Sequence, residues 1–155
     1  MEPDVGDSVG GFVLSNPLGE GAFGQVWAAR HAVTSQQAAV KFERTDSRHP
    51  QLEYEWRVFR MLLGTDGTPW VGHYGVTHRG HHRAMVMQRL SFDLQRVLRA
   101  CGGRFSPKSV MVLAEQTLGI LRGVHDAGFI HRDIKPENFM YGIEALGGTL
   151  YLTDY

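Results

Sequence analysis

Residues 19–26 read Gly-Glu-Gly-Ala-Phe-Gly-Gln-Val, and the segments flanking this Gly-x-Gly-x-x-Gly-x-Val pattern constrain the fold more than any other feature of the chain. Glycines at that spacing let backbone amides approach phosphate oxygens and adopt positive φ. Alone, the pattern fits a hairpin turn as well as a phosphate-covering loop. A dinucleotide-binding unit needs strand, glycines and then a helix, with an acid about 20 residues further on. Here "FVLSNPLGEG" precedes and "GQVWAARHAV" follows, and both alternate apolar with other residues as strands do. The glycines therefore join two strands, and the dinucleotide reading is set aside.

A third short strand, "QQAAVKFER", comes next, and "TDSRHP" leads to a helix over "QLEYEWRVFRMLLG". Leu52, Glu55, Phe59 and Leu62 recur at spacings of three and four, so they share one helical face. Gly64 is the stop. "WVGHYGVTH" and "RAMVMQRL" read as two more strands joined by the turn "RGHH", and "FDLQRVLRAC" as a short helix broken by "GG". "SPKSVMVLAEQTLGILRGVHDAG" is the strongest helix, with Ser106 as N-cap, Pro107 at the first helical position and Gly128 just past the end. A loop, "RDIKPENFM", and a hairpin-like "YGIEALGGTLYLTDY" complete the sequence. The order predicts a strand-rich half and a helical half, divided near Gln88–Ser91.

Two oddities explain each other. Lys41 lies on the apolar strand "AAVK", and Glu55 lies on an apolar helix face. A buried charge is costly unless paired, so the two are predicted to meet. A lysine so placed in a lid over a nucleotide reaches its phosphates.

"HRDIKPEN", residues 131–138, carries the clearest chemistry. Asp133 can accept the proton of an attacking hydroxyl, Lys135 can neutralise charge on a transferred phosphoryl group, and Asn138 can ligate a metal. Phosphoryl transfer is mostly positioning and electrostatics, and those are its parts. Asp154, in "LTDY", gains meaning from its spacing after Asn138, as a second ligand.

Taken in order, these motifs resemble those of eukaryotic-type protein kinases. "GEGAFGQVW", "HPQLEYE", "AMVMQRL" and "GFIHRDIKPENFM" are more narrowly similar to the casein kinase I group, including its tau-tubulin kinase-like branch. The resemblance runs from about Phe12 onward. It implies an α+β, bilobal fold, with residues 1–11 as a tail, 12–90 as a complete strand-rich N-lobe and 91–155 as the first part of a helical C-lobe. It implies ATP and Mg²⁺ as cofactors and transfer to Ser/Thr hydroxyls of a protein substrate, acidic or pre-phosphorylated. Gly19, Gly21 and Gly24 would cover the phosphates, and Lys41 would pair with Glu55. Leu18, Val26, Ala39 and Met140 would enclose adenine, with Met87 as gatekeeper and Gln88 to Leu90 as hinge. Asp133 would be the catalytic base with Lys135 beside it, and Asn138 and Asp154 would hold Mg²⁺. Asp93 is the candidate for the ribose.

The sequence departs from the family pattern where Asp154 is followed by Tyr155 instead of Phe. The segments that follow this motif in the family are absent from the sequence. The expectation is a chain truncated at the metal motif, with apolar faces of its long helix exposed and no phosphate transfer by these 155 residues alone. A non-catalytic nucleotide-binding or decoy fragment is the alternative.

Lys plus Arg and Asp plus Glu both number 16, and the zero net charge points to neither nucleic acid nor an anionic membrane as partner. A lone cysteine, Cys101, forms no internal disulfide, suits a reducing compartment and is read as a buried helix end. With no apolar span and no secretory leader pattern, the expected location is cytoplasmic or nuclear. His78, His81 and His82 are read as a solvated turn, and Met61, Met85, Met87, Met111 and Met140 as core fillers.

Overall fold

A computed structural model describes residues 2–21, 24–78 and 80–155. Ala22 and Phe23 of the glycine motif and Arg79 of the "RGHH" turn lie outside the described residues. The chain divides into two compact units, one of residues 1–60 and 70–89, the other of 61–69 and 90–155.

The first unit is built on a six-stranded antiparallel sheet in the order β1-β2-β3-β4-β6-β5. Its strands are β1 (Ser8–Val9), β2 (Phe12–Gly21), β3 (Gly24–His31), β4 (Gln37–Arg44), β5 (Val71–Val76) and β6 (His82–Gln88). Side chains alternate across a strand, and directly paired residues share a face. Trp27, Ala29, Ala38, Val40, Phe42, Ala84 and Val86 therefore fall on one face, where they join Val9, Phe12 and Leu14 in the unit's core. The other face carries Val26, Ala28, Ala39, Lys41, Met85 and Met87, in the pairs Val26↔Lys41, Ala28↔Ala39, Lys41↔Met85 and Ala39↔Met87. The N-terminal residues are not the tail expected for 1–11. Val9 is buried, β1 pairs with β2, and Gly10 lies against His73 of β5 at the far end of the strand order, so the sheet curls.

Helix α1 (Leu52–Met61) buries Leu52, Glu55, Val58 and Phe59. Its N-terminus is held from β4, where Glu43 Oε1 accepts from the amides of Gln51 and Leu52 at 2.6 and 3.2 Å. This satisfies donors that a helix start leaves open.

The second unit contains β7 (Leu90–Asp93), α2 (Leu94–Ala100), α3 (Pro107–Asp126), β8 (Phe139–Gly142) and β9 (Leu150–Leu152), the strands forming one antiparallel sheet β7-β8-β9. Strand β7 was not foreseen. Its last residue, Asp93, caps α2 by accepting from the Arg96 amide at 2.7 Å. Helix α3 begins as the sequence dictates, with Ser106 accepting from the Ser109 amide.

Residues 61–69, placed by the sequence in the strand-rich half, belong to the second unit. The Leu152 amide donates to the Gly67 carbonyl at 2.8 Å. Gly67 has φ +72°, and a Cβ there would strike Ile120 of α3, so only glycine fits. Thr65 likewise packs against Gly123.

Three side-chain readings need correction. Cys101 is exposed, because it ends α2 at the Gly102–Gly103 turn. Met61 and Met111 are exposed, on the outer faces of α1 and α3, whereas Met85 and Met87 are buried on the sheet. His82 is buried because it opens β6 instead of ending the turn, its ring edge-on to Phe42. On α3, Val110, Met111, Val112 and Leu118 are exposed, as expected for its apolar faces.

Candidate active site

In the first unit, Lys41 Nζ lies 2.9 and 2.7 Å from the two carboxylate oxygens of Glu55. Strand period two puts Lys41 on the face opposite the core, and helical period brings Glu55 to meet it. Both side chains are largely buried, so each charge depends on the other. Val26, Ala39 and Met87 share that face, and Leu18 lies on β2, half-exposed. Gly19 pairs with Val26, and Gly21 with Gly24. The three glycines differ. Gly19 has open space around it, whereas Gly24 has φ +128° and a Cβ there would run into the Phe42 carbonyl. The third glycine is thus demanded by strand packing as well as by any ligand.

In the second unit, four residues close a ring of hydrogen bonds. The Asp133 amide donates to His131 Nδ1 at 3.3 Å, and His131 Nε2 lies 2.8 Å from the Thr153 carbonyl. A carbonyl only accepts, so Nε2 carries the proton and Nδ1 is free to receive the amide. The Thr153 amide and its hydroxyl both donate to the Asn138 carbonyl, at 2.9 and 3.1 Å. Asn138 Nδ2 returns to Asp133, donating to its carbonyl at 2.8 Å and to Oδ2 at 3.2 Å. Asp133, Asn138 and the residue before Asp154 are thereby fixed together, with His131, Asn138 and Thr153 buried.

Arg132 and Asp154 have φ of +68° and +58°. Such angles are strained for residues with a side chain, more for Arg than for Asp, and cluster where a site over-determines the backbone.

Lys135 Nζ stands 2.6 Å from Asp133 Oδ2. Hydrogen bonds from Lys135 first, then Asn138, hold the Asp133 carboxyl below its ordinary range, and the same contact raises Lys135. Asp154 is close enough to add to the rise in Lys135. Asn138 spends its amide nitrogen on Asp133, which leaves Oδ1 as the atom to face an electrophile. An amide oxygen together with the Asp154 carboxylate is a hard-oxygen donor set, which fits Mg²⁺ and not a soft metal. Met140 and Leu90 lie in the small sheet, Met140 opposite Asp93 and Leu90 opposite Gly142.

Tyr155 is half-buried beside Phe129 and His131, at ring-centroid distances of 5.7 and 4.9 Å. Burial pushes its phenol up, and its hydroxyl faces Thr68, which opposes that rise.

Three supporting residues escaped the sequence reading. Glu43 caps α1 from β4; it follows Lys41 by two, so strand period puts it on the helix-facing side. Gln116 clamps the β8–β9 connection, accepting from the Leu150 amide at 2.9 Å and donating to the Gly148 carbonyl at 3.1 Å. Thr153 carries no pattern at all, since its partner lies 15 residues away.

A strand-rich unit bearing glycine hairpin, Lys41 and Glu55, followed by a unit bearing Asp133, Lys135, Asn138 and Asp154, defines an α+β phosphotransferase of bilobal type. The family description that matches is the protein kinase domain, over residues 12–155. The chain belongs to the protein kinase family, whose domains transfer phosphoryl groups to proteins using ATP and Mg²⁺.

Proposed function

We propose that the complete protein carrying this domain transfers the γ-phosphoryl group of ATP to Ser and Thr hydroxyls of proteins, in the manner of the casein kinase I group. The observation that carries the reading is the 2.6 Å contact between Lys135 and Asp133. A lysine two residues after the catalytic-loop Asp resembles Ser/Thr kinases, and is rare in tyrosine kinases and small-molecule phosphotransferases. The quoted motifs support the casein kinase I resemblance.

The side chains divide the work. Asp133, kept ionised, accepts a hydrogen bond from the substrate hydroxyl and orients it, and it takes the proton late, as suits a loose transition state. Lys135 offsets negative charge at the transferred group. Lys41, oriented by Glu55, binds the α- and β-phosphates under the backbone of Gly19, Gly21 and Gly24. By the family resemblance, Leu18, Val26 and Ala39 of the first unit and Met140 of the second are the adenine candidates, with Met87 as gatekeeper and Leu90 in the hinge. Asn138 Oδ1 and the Asp154 carboxylate would hold Mg²⁺, which would supply positive charge to offset that of the phosphates.

The test uses the protein as its endogenous transcript encodes it, with ATP, Mg²⁺ and casein, followed by phosphoamino-acid analysis. The reading expects phosphoserine and phosphothreonine, reduced at least about 100-fold by Asp133→Asn. Phosphotyrosine as the main product, or transfer indifferent to Asp133→Asn, overturns it.

A further inference from the structure

The residue between β9 and Asp154 is a threonine whose hydroxyl is buried and committed. Thr153 Oγ1 donates to the Asn138 carbonyl at 3.1 Å, beside the bond from its own amide at 2.9 Å to the same oxygen. The amide bond needs no particular side chain; the hydroxyl bond does. Thr153 is 6% exposed, so this bond is made away from competing water. Its carbonyl is held in turn by His131 at 2.8 Å. Every polar group of Thr153 is therefore used to set where Asp154 departs from the ring. The demand is real, because Asp154 leaves with φ +58°, a conformation the local chain does not favour.

We infer that Thr153 is a positioning residue for metal binding, its hydroxyl fixing the carboxylate of Asp154 against the amide oxygen of Asn138. This rests on the reading of Asn138 and Asp154 as metal ligands. Groups that orient metal ligands cost about 10- to 100-fold in metal affinity when removed. The hydroxyl acts through the backbone of one ligand and the neighbour of the other, so the lower end of that range applies. A valine has the same shape and lacks only the donor.

The experiment measures Mn²⁺ affinity by electron paramagnetic resonance on the full chain, in the presence of a non-hydrolysable ATP analogue. It compares the wild type with Thr153→Val, Thr153→Ser and Asp154→Asn, each checked for a cooperative unfolding transition. The expected result is a loss of about tenfold for Thr153→Val and less than about twofold for Thr153→Ser. Should Thr153→Val fail to fold, Thr153→Ala takes its place with the same expectation. Wild-type affinity in the hydroxyl-free variant, or equal loss in Thr153→Ser, overturns the role of the hydroxyl while leaving the ligands in place. Unchanged affinity in Asp154→Asn, or no Mn²⁺ bound by the wild type, removes the ligand reading itself, and the inference with it.

Discussion

The Lys41 ammonium sits within 2.9 Å of both carboxylate oxygens of Glu55, across 14 residues of sequence, with neither side chain more than 16% exposed. Removing one partner of such a pair leaves a desolvated charge behind and costs about 3–5 kcal/mol. Lys41→Met is expected to lower unfolding stability in urea by that order. Lys41→Met combined with Glu55→Leu is expected to recover most of the loss, since an apolar pair of similar volume is often neutral. A Lys41→Met domain as stable as wild type contradicts the buried pairing.

Glu43 holds the start of α1, the helix that presents Glu55. Glu43→Ala removes the acceptor for two helix-start amides, a change worth about 1–2 kcal/mol. The loss is expected in urea unfolding, together with faster amide exchange at Gln51 and Leu52. Unchanged exchange at those two amides contradicts the capping role.

The glycines of the 19–26 motif are not equivalent. Gly24→Ala forces a Cβ toward the Phe42 carbonyl at a φ that side chains avoid, and is expected to cost on the order of 2–4 kcal/mol. Gly19→Ala enters open space and is expected to stay within about 0.5 kcal/mol of wild type. Thermal unfolding of the two variants side by side checks the contrast, and equal effects contradict it.

Asp133 is held below the ordinary carboxylate range chiefly by Lys135. A depressed acid is ionised throughout the neutral range and protonates only as pH falls through its folded value. Replacing Lys135 with Met is expected to move the Asp133 midpoint upward, toward the unperturbed value of about 3.9. Carbon-detected NMR titration of the side chain reads this directly, and an unmoved midpoint contradicts the assignment of cause.

His82 behaves in the opposite sense. Burial lowers its pKa from the ordinary 6.5, while Glu2, with Oε2 3.4 Å from His82 Nε2, raises it. The unfolded chain then binds more protons than the folded one between the two values, so stability falls as pH drops below about 6.5. His82→Gln is expected to flatten that slope, and Glu2→Gln to steepen it. Denaturant midpoints between pH 5 and 8 test both, and a slope indifferent to His82 contradicts the account.

The parts legible in the sequence were those with a short period or a short span. Strand alternation marked the face of Lys41, helix spacing marked that of Glu55, and the signals that bound α3, Ser106, Pro107 and Gly128, were local. The catalytic loop was legible because Asp133, Lys135 and Asn138 sit within six residues. What escaped depended on contacts between distant segments. β7 is too short to show alternation and exists because β8 pairs with it. The burial of His82, the β1 pairing of the N-terminal residues and the attachment of 61–69 to α3 likewise come from tertiary packing. The same is true of Glu43, Gln116 and Thr153, each of which bonds to backbone elsewhere in the chain.

The most direct test of the proposed nucleotide and metal binding is calorimetric titration of the chain with ATP, with and without Mg²⁺, for the wild type and Asp154→Asn. The account predicts binding that strengthens with Mg²⁺ and weakens at least about tenfold in Asp154→Asn. ATP affinity indifferent both to Mg²⁺ and to Asp154→Asn would contradict it.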